Sequence, residues 1–177
     1  MKSDKLFKIL FTMMVAIPVS YILLNISLIA LKLTFTNFTL CITMVVELVL
    51  SVIVLISSYQ NGHDKYKSSE IDSISSSGVG LGIINIVIML VVLVFMLMVP
   101  EHFVKKDGRI MAAHVNSYTS VYVEYYDIKT KLIRGINVKI DEYIGKGGYD
   151  PFENGGVPEA KRATYFDDNG NVIKTIE

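Results

Sequence analysis

One stretch constrains this chain more than any other. Gly78 to Pro100, GVGLGIINIVIMLVVLVFMLMVP, carries no charged side chain, and its one strongly polar residue is Asn85. An α-helix rises ~1.5 Å per residue, so a run of this length spans the ~30 Å hydrocarbon core of a bilayer. The sequence before it is mostly apolar and the sequence after it mostly polar. The run therefore reads as the last of several membrane crossings and as the anchor of the polar segment that follows.

Charge is distributed to match. Residues 1–100 hold eleven charged side chains and residues 101–177 hold twenty-three, which divides the chain into a membrane half and a water-facing half. Over the whole chain 17 basic groups balance 17 acidic ones, so there is no electrostatic case for nucleic acid as a partner. Cys41 is the single cysteine and lies inside an apolar run, which excludes an intramolecular disulfide and a cysteine-based metal site. It reads as a small buried apolar side chain.

Two further apolar runs precede the organising one. Ile9 to Leu31 follows a start containing Lys2, Lys5 and Lys8, and it is too long for the apolar core of a signal peptide. Pro18, near its middle, removes one helical hydrogen bond, which membrane helices tolerate. A short connection from Lys32 to Asn37 forces the next helix, Phe38 to Ser57, to run antiparallel to the first. Residues 58–77 form a polar, serine-rich loop, with Ser75 to Ser77 placed to cap the third helix. Gly78 and Gly82, four apart, either let another backbone approach closely or simply loosen the entry of the helix. Lysine and arginine counts near the helix ends favour a cytoplasmic N-terminus by five to four, which puts the C-terminal segment outside.

Beyond the last crossing, residues 101–113 read as a juxtamembrane stalk. In 115–127, Val115, Val121, Val123 and Tyr125 share one parity and Tyr118, Tyr122 and Tyr126 the other, the period of a strand. Residues 132–144 alternate likewise from Ile136, so the two segments form a hairpin around IKTK. Residues 145–156 hold five glycines and a proline. Asp168, Asn169 and Gly170 lie between two strand-like pieces and signal a second hairpin. PEAKRA, 158–163, is suited to one helical turn. The expected fold is an α+β membrane protein. A membrane domain over 1–100 carries three transmembrane helices, at about 9–31, 38–57 and 79–100. The stalk follows, and then a small antiparallel β-meander of about four strands over 114–177.

Few residues point to chemistry. Glu47 lies at the centre of the second crossing, where a carboxylate is expensive and needs a partner. Depth along the helices favours Ser20 and Tyr21 as that partner, with Asn85 nearer the inner end of its helix. The glycine loop lacks the GxxxxGK[ST] of a phosphate-binding loop. Asp167, Asp168, Asn169 and Asn171 fail the calcium-loop pattern at its sixth and twelfth positions. His63, His102 and His114 carry no HExxH, and no GxSxG is present. The expectation is therefore a non-enzymatic protein without cofactor or metal. Its water-facing domain would bind through an aromatic surface of Tyr118, Tyr122, Tyr126, Tyr149 and Phe152, tyrosine giving contact area at low entropic cost. Expected partners are the lipid bilayer and either a membrane or extracytoplasmic protein or a second copy of the chain. An accessory, immunity-like or assembly role in the cell membrane follows from that reading. The alternative is a subunit of a transport or signalling complex acting through Glu47.

Overall fold

The computed structural model describes residues 2–62 and 69–177, with side chains for 5–60 and 76–177. Three long helices come first: α1 (Lys2–Ala30), α2 (Asn37–Gly62) and α3 (Ser69–Met98). Each contains a stretch long and apolar enough to cross a membrane: Lys5–Ala30, Asn37–Gln60 and Ser76–Met98. Both α2 and α3 extend into what the sequence suggested was a polar loop. Ser75 to Ser77 lie within α3 rather than at its cap, and the rest of that loop, 63–68, lies outside the described residues.

The chain divides into two compact units. The first comprises residues 1–24 and 41–93. At its centre Phe7 and Met14 of α1 pack with Leu50 and Val54 of α2, and Leu10, Phe11 and Ile17 flank them. Helix α3 lies close to α2 because of its glycines. A Cβ at Gly78 would come within 2.5 Å of Ser58 Oγ, and one at Gly82 within 2.9 Å of Leu55 Cγ. The outward faces remain apolar, with Ile22, Leu23, Val49, Ile84 and Leu90 all more than half exposed or nearly so. That pattern suits a helix surrounded by hydrocarbon.

The second unit comprises residues 25–40 and 94–177 and is built on one antiparallel sheet. Its strands are β1 (Leu33–Phe35), β2 (Glu101–Lys106), β3 (Arg109–Asn116), β4 (Ser120–Thr130), β5 (Ile133–Lys146), β6 (Arg162–Phe166) and β7 (Val172–Ile176). Strands β2 to β7 follow one another across the sheet in chain order. Strand β1 pairs with β5 through Leu33↔Gly135 and Phe35↔Ile133, while β6 pairs with β5 at Ile140 to Tyr143. The long β5 thus carries β1 and β6 in succession along its edge.

Several expectations change. The stalk does not exist as such, because residues 101–113 form β2 and most of β3. They are joined by a tight turn at Asp107 and Gly108, both with positive φ (48° and 79°). That geometry matches the right-handed twist of a two-residue hairpin. Segment 115–127 is the end of β3 and most of β4, folded back at Ser117 to Thr119. The connection between α1 and α2 is a strand of the sheet and not a bare loop. Residues 158–161 form no helical turn, and Arg162 already belongs to β6.

The alternation in β3 and β4 places Met111, Ala113, Val115, Val121, Val123 and Tyr125 on one face, all fully buried. Ile140 and Ile144 of β5 extend this core, and Phe152 from the glycine-rich segment inserts into it. The opposite face is polar and aromatic, with Glu101, His114, Tyr122, Glu124, Tyr126, Asp141 and Tyr143 aligned across successive strands.

Candidate functional site

In the helical unit, Glu47, Ser51, Val54 and Ser58 recur every three or four residues and so form one face of α2. All four are buried. Asn85 of α3 faces them. Its Nδ2 donates to Glu47 Oε2 at 3.1 Å and to Ser51 Oγ at 2.8 Å. Glu47 is 4% exposed, and its Oε1 is buried with no hydrogen-bond partner, as is Ser58 Oγ. The donor on the carboxylate is therefore Asn85 rather than the preferred Ser20 or Tyr21; Ser20 is exposed and Tyr21 half-buried. The helix bounds account for the difference. A third span over Ser76–Met98 has its midpoint at Val87, two residues from Asn85, and the second span, Asn37–Gln60, has its midpoint beside Glu47.

The sheet unit holds a carboxylate cluster that sequence inspection missed. Glu101, the first residue of β2, has a side chain only 1% exposed. Its Oε2 accepts from the backbone N–H of Asn37 at 2.6 Å, the first residue of α2. Its Oε1 lies 2.8 Å from His114 Nε2 and 3.0 Å from Arg134 Nε. Glu101 thus caps α2 from 64 residues away, placing negative charge at the positive end of the helix. Thr36 adds a conventional cap, its Oγ1 accepting from Thr39 N at 3.4 Å and donating to Lys131 O at 2.7 Å. Burial alone would raise the Glu101 pKa. The hydrogen bond and charge of His114, the Asn37 N–H and the Arg134 guanidinium outweigh it and hold the carboxyl below its ordinary value.

Arg134 also lies over the Tyr126 ring, 4.0 Å from its centroid, and His114 meets that ring edge-on at 5.4 Å. Tyr126 donates its hydroxyl to Glu124 Oε2 at 2.6 Å. Burial and the Glu124 carboxylate push its phenol well above the usual range. Within the core face, buried Glu142 receives Tyr125 Oη at 2.8 Å and Lys106 Nζ at 2.6 Å. This is a complete ion pair in an apolar setting, and burial followed by the Glu142 charge pushes the Tyr125 phenol strongly upward.

The five residues expected to form one aromatic surface separate. Tyr118 and Tyr149 are 59% and 44% exposed. They lie near each other, since a Cβ at Gly148 would touch the backbone oxygens of Ser117 and Tyr118. Tyr122 is half-buried on the polar face, its ring 5.2 Å from that of Tyr143. Tyr126 and Phe152 are buried and belong to no free surface. Phe152 is drawn inward because the glycine-rich segment is pinned. Asp150 Oδ2 lies 2.7 Å from His102 Nε2, Asp150 Oδ1 accepts from Phe152 N at 2.9 Å, and the His102 ring is 4.9 Å from that of Phe152. Both His102 and His114 are thereby engaged with carboxylates. Among the described residues no group of three or more His, Cys, Asp and Glu side chains is placed to hold a metal ion. No protein-family model matches the chain, and neither a curated protein nor a solved structure is detectably similar to it.

Proposed function

We propose that this chain is an integral protein of the cell membrane that holds a β-rich domain outside the cytoplasm, where the domain binds another protein or an envelope component. Its role is non-enzymatic: accessory, immunity-like or assembly-related. The observation that carries this reading is the division of labour among the aromatics. The core is closed by Tyr125, Phe152 and the valines of β3 and β4, while Tyr118 and Tyr149 stay exposed at one end of the domain. Large rings left in water beside a glycine-rich segment are a common recognition surface. A photo-reactive residue at position 149 of the full-length protein, in native membranes, should give a discrete adduct that is absent when the probe replaces Lys174. Equal labelling at both sites, or none at either, would reject the surface.

A second reading is favoured by one atom. Glu47 Oε1 is buried without a hydrogen-bond donor, so the helical unit has capacity for a further polar contact. A partner helix that displaced the side chains covering this oxygen and supplied that donor would make the chain a subunit of a transport or signalling complex.

A further inference from the structure

Where α1 gives way to β1, Lys32 adopts a left-handed backbone with φ 57°. Glycine or asparagine usually fills this position after a helix, because a Cβ is unfavourable there. The conformation is held on both sides. Lys32 N donates to Ile29 O at 2.9 Å, and Lys32 O accepts from Ile136 N at 3.2 Å. A lysine thus stands where a smaller residue would be less strained, and its backbone is fixed.

That lysine lines an open cavity of about 270 Å³, together with Asp127, Lys129, Asn137, Lys139 and Asp168. Its acids are already answered. Asp168 is paired with Lys139, and its backbone oxygen accepts from Asn137 Nδ2 at 2.7 Å. Asp127 lies 3.8 Å from Arg109. Lys32 and Lys129 stand exposed at the rim. Although Lys129 also feels the Asp168 charge, Lys32, Lys129 and Lys139 in the lining outnumber Asp127 and Asp168 and leave surplus positive charge. Lys32 follows Ala30, the end of the first apolar span, by two residues, and Leu31 between them is 70% exposed. In a bilayer crossed by α1 this places the cavity mouth in the headgroup layer.

We infer that this cavity holds the phosphate of an anionic phospholipid, with Lys32 and Lys129 on the phosphate and Leu31 toward the acyl chains. The inference rests on the membrane reading above. A lipid is favoured over free phosphate because lysines act as flexible point charges with little affinity for a lone ion, whereas a headgroup is supplied at high local concentration. An anionic lipid is favoured over a zwitterionic one because the latter brings its own cation to a site with surplus positive charge.

The test uses the full-length protein in mild detergent, titrated with phosphatidylglycerol or phosphatidylcholine and read by native mass spectrometry. Phosphatidylglycerol should be retained preferentially. Each of Lys32→Asn and Lys129→Gln should weaken that preference roughly fivefold, the double variant roughly in proportion, and Lys146→Gln should leave it unchanged. Lys32→Asn suits the left-handed backbone, and Lys129→Gln lies on an exposed strand end, so both should keep the circular dichroism of the parent. A double variant that retains the full preference overturns the site. Displacement by millimolar glycerol phosphate as effectively as by the lipid overturns the lipid as its source. A chain that needs detergent to stay dispersed but shows no lipid preference defeats this inference alone; one dispersed without detergent defeats the membrane reading as well.

Discussion

Two carboxylates with contrasting surroundings make separable predictions. Glu47 meets a neutral amide, so Glu47→Gln keeps a partner for Asn85 and should leave assembly intact. Glu47→Leu removes that contact, and because intramembrane polar contacts average about 0.6 kcal/mol the loss measured by unfolding in detergent should be small. Intact assembly with abolished activity in the Gln variant would refute a purely structural Glu47 and promote the transport or signalling reading. Glu101 meets two basic side chains and a helix end, so it should behave differently. Its pKa is lowered on folding, so its stabilisation is present above the ordinary glutamate value of about 4.3 and is lost as pH falls through the folded value. The stability of the full-length protein in detergent should therefore fall from about pH 5 downward. Glu101→Gln should flatten that dependence and, by leaving Arg134 uncompensated, lower stability at neutral pH by about 3 kcal/mol or more. An unchanged acid profile in the variant would show that other carboxylates govern it.

Among the secondary-structure elements, β2 completes the core even though it lies at an edge. Lys106 on β2 pairs with buried Glu142, and Val104 packs against the core cluster. A fragment of residues 101–177 should retain a β-type circular dichroism spectrum and a cooperative, weakened transition. One of residues 112–177 should lose the transition, since it buries a glutamate without its lysine. Equal transitions in the two fragments would refute the role given to β2. The elements most legible in the sequence were those whose signal is local. Long, nearly continuous apolar runs mark the greater part of α1, α2 and α3, and the parity of Val115, Val121, Val123 and Tyr125 marks the core face of β3 and β4. The Asp167 to Asn171 turn was legible too, since the Asp167 carboxylate accepts from Asn169 N and Asn171 N at 2.8 Å each. The Asp107–Gly108 turn carried the same kind of signal, but Lys105 and Lys106 before it and Arg109 after it masked the alternation of β2. Strand β1 was illegible for a different reason. Three residues show no period, and its partner lies about a hundred residues further along. The Glu101 cap of α2 is equally non-local, and nothing in either segment alone announces it.

At the scale of the whole molecule, three helices are long and apolar enough to cross a membrane, and three crossings would place residues before α1 and residues after α3 on opposite sides of it. With the orientation proposed here, a reporter fused after Glu177 should be active only outside the cytoplasm and one inserted near Lys65 only inside. The reverse pattern would relocate the β-domain and its partner together. The pairing of β1 with β5 also has a consequence for how the protein is made. Leu33 to Phe35 leave the ribosome about a hundred residues before Ile133 to Gly135, their partners in the sheet. At ~5–20 residues per second, that separation is a wait of roughly 5–20 seconds. Throughout it the three-residue strand is unpaired, too short to recruit a wrong neighbour. The link between α1 and α2 therefore stays unlocked while α3 is synthesised and closes only once the β4–β5 hairpin is complete. Synthesis thus has a built-in order, in which the last-made half of the chain fastens the first.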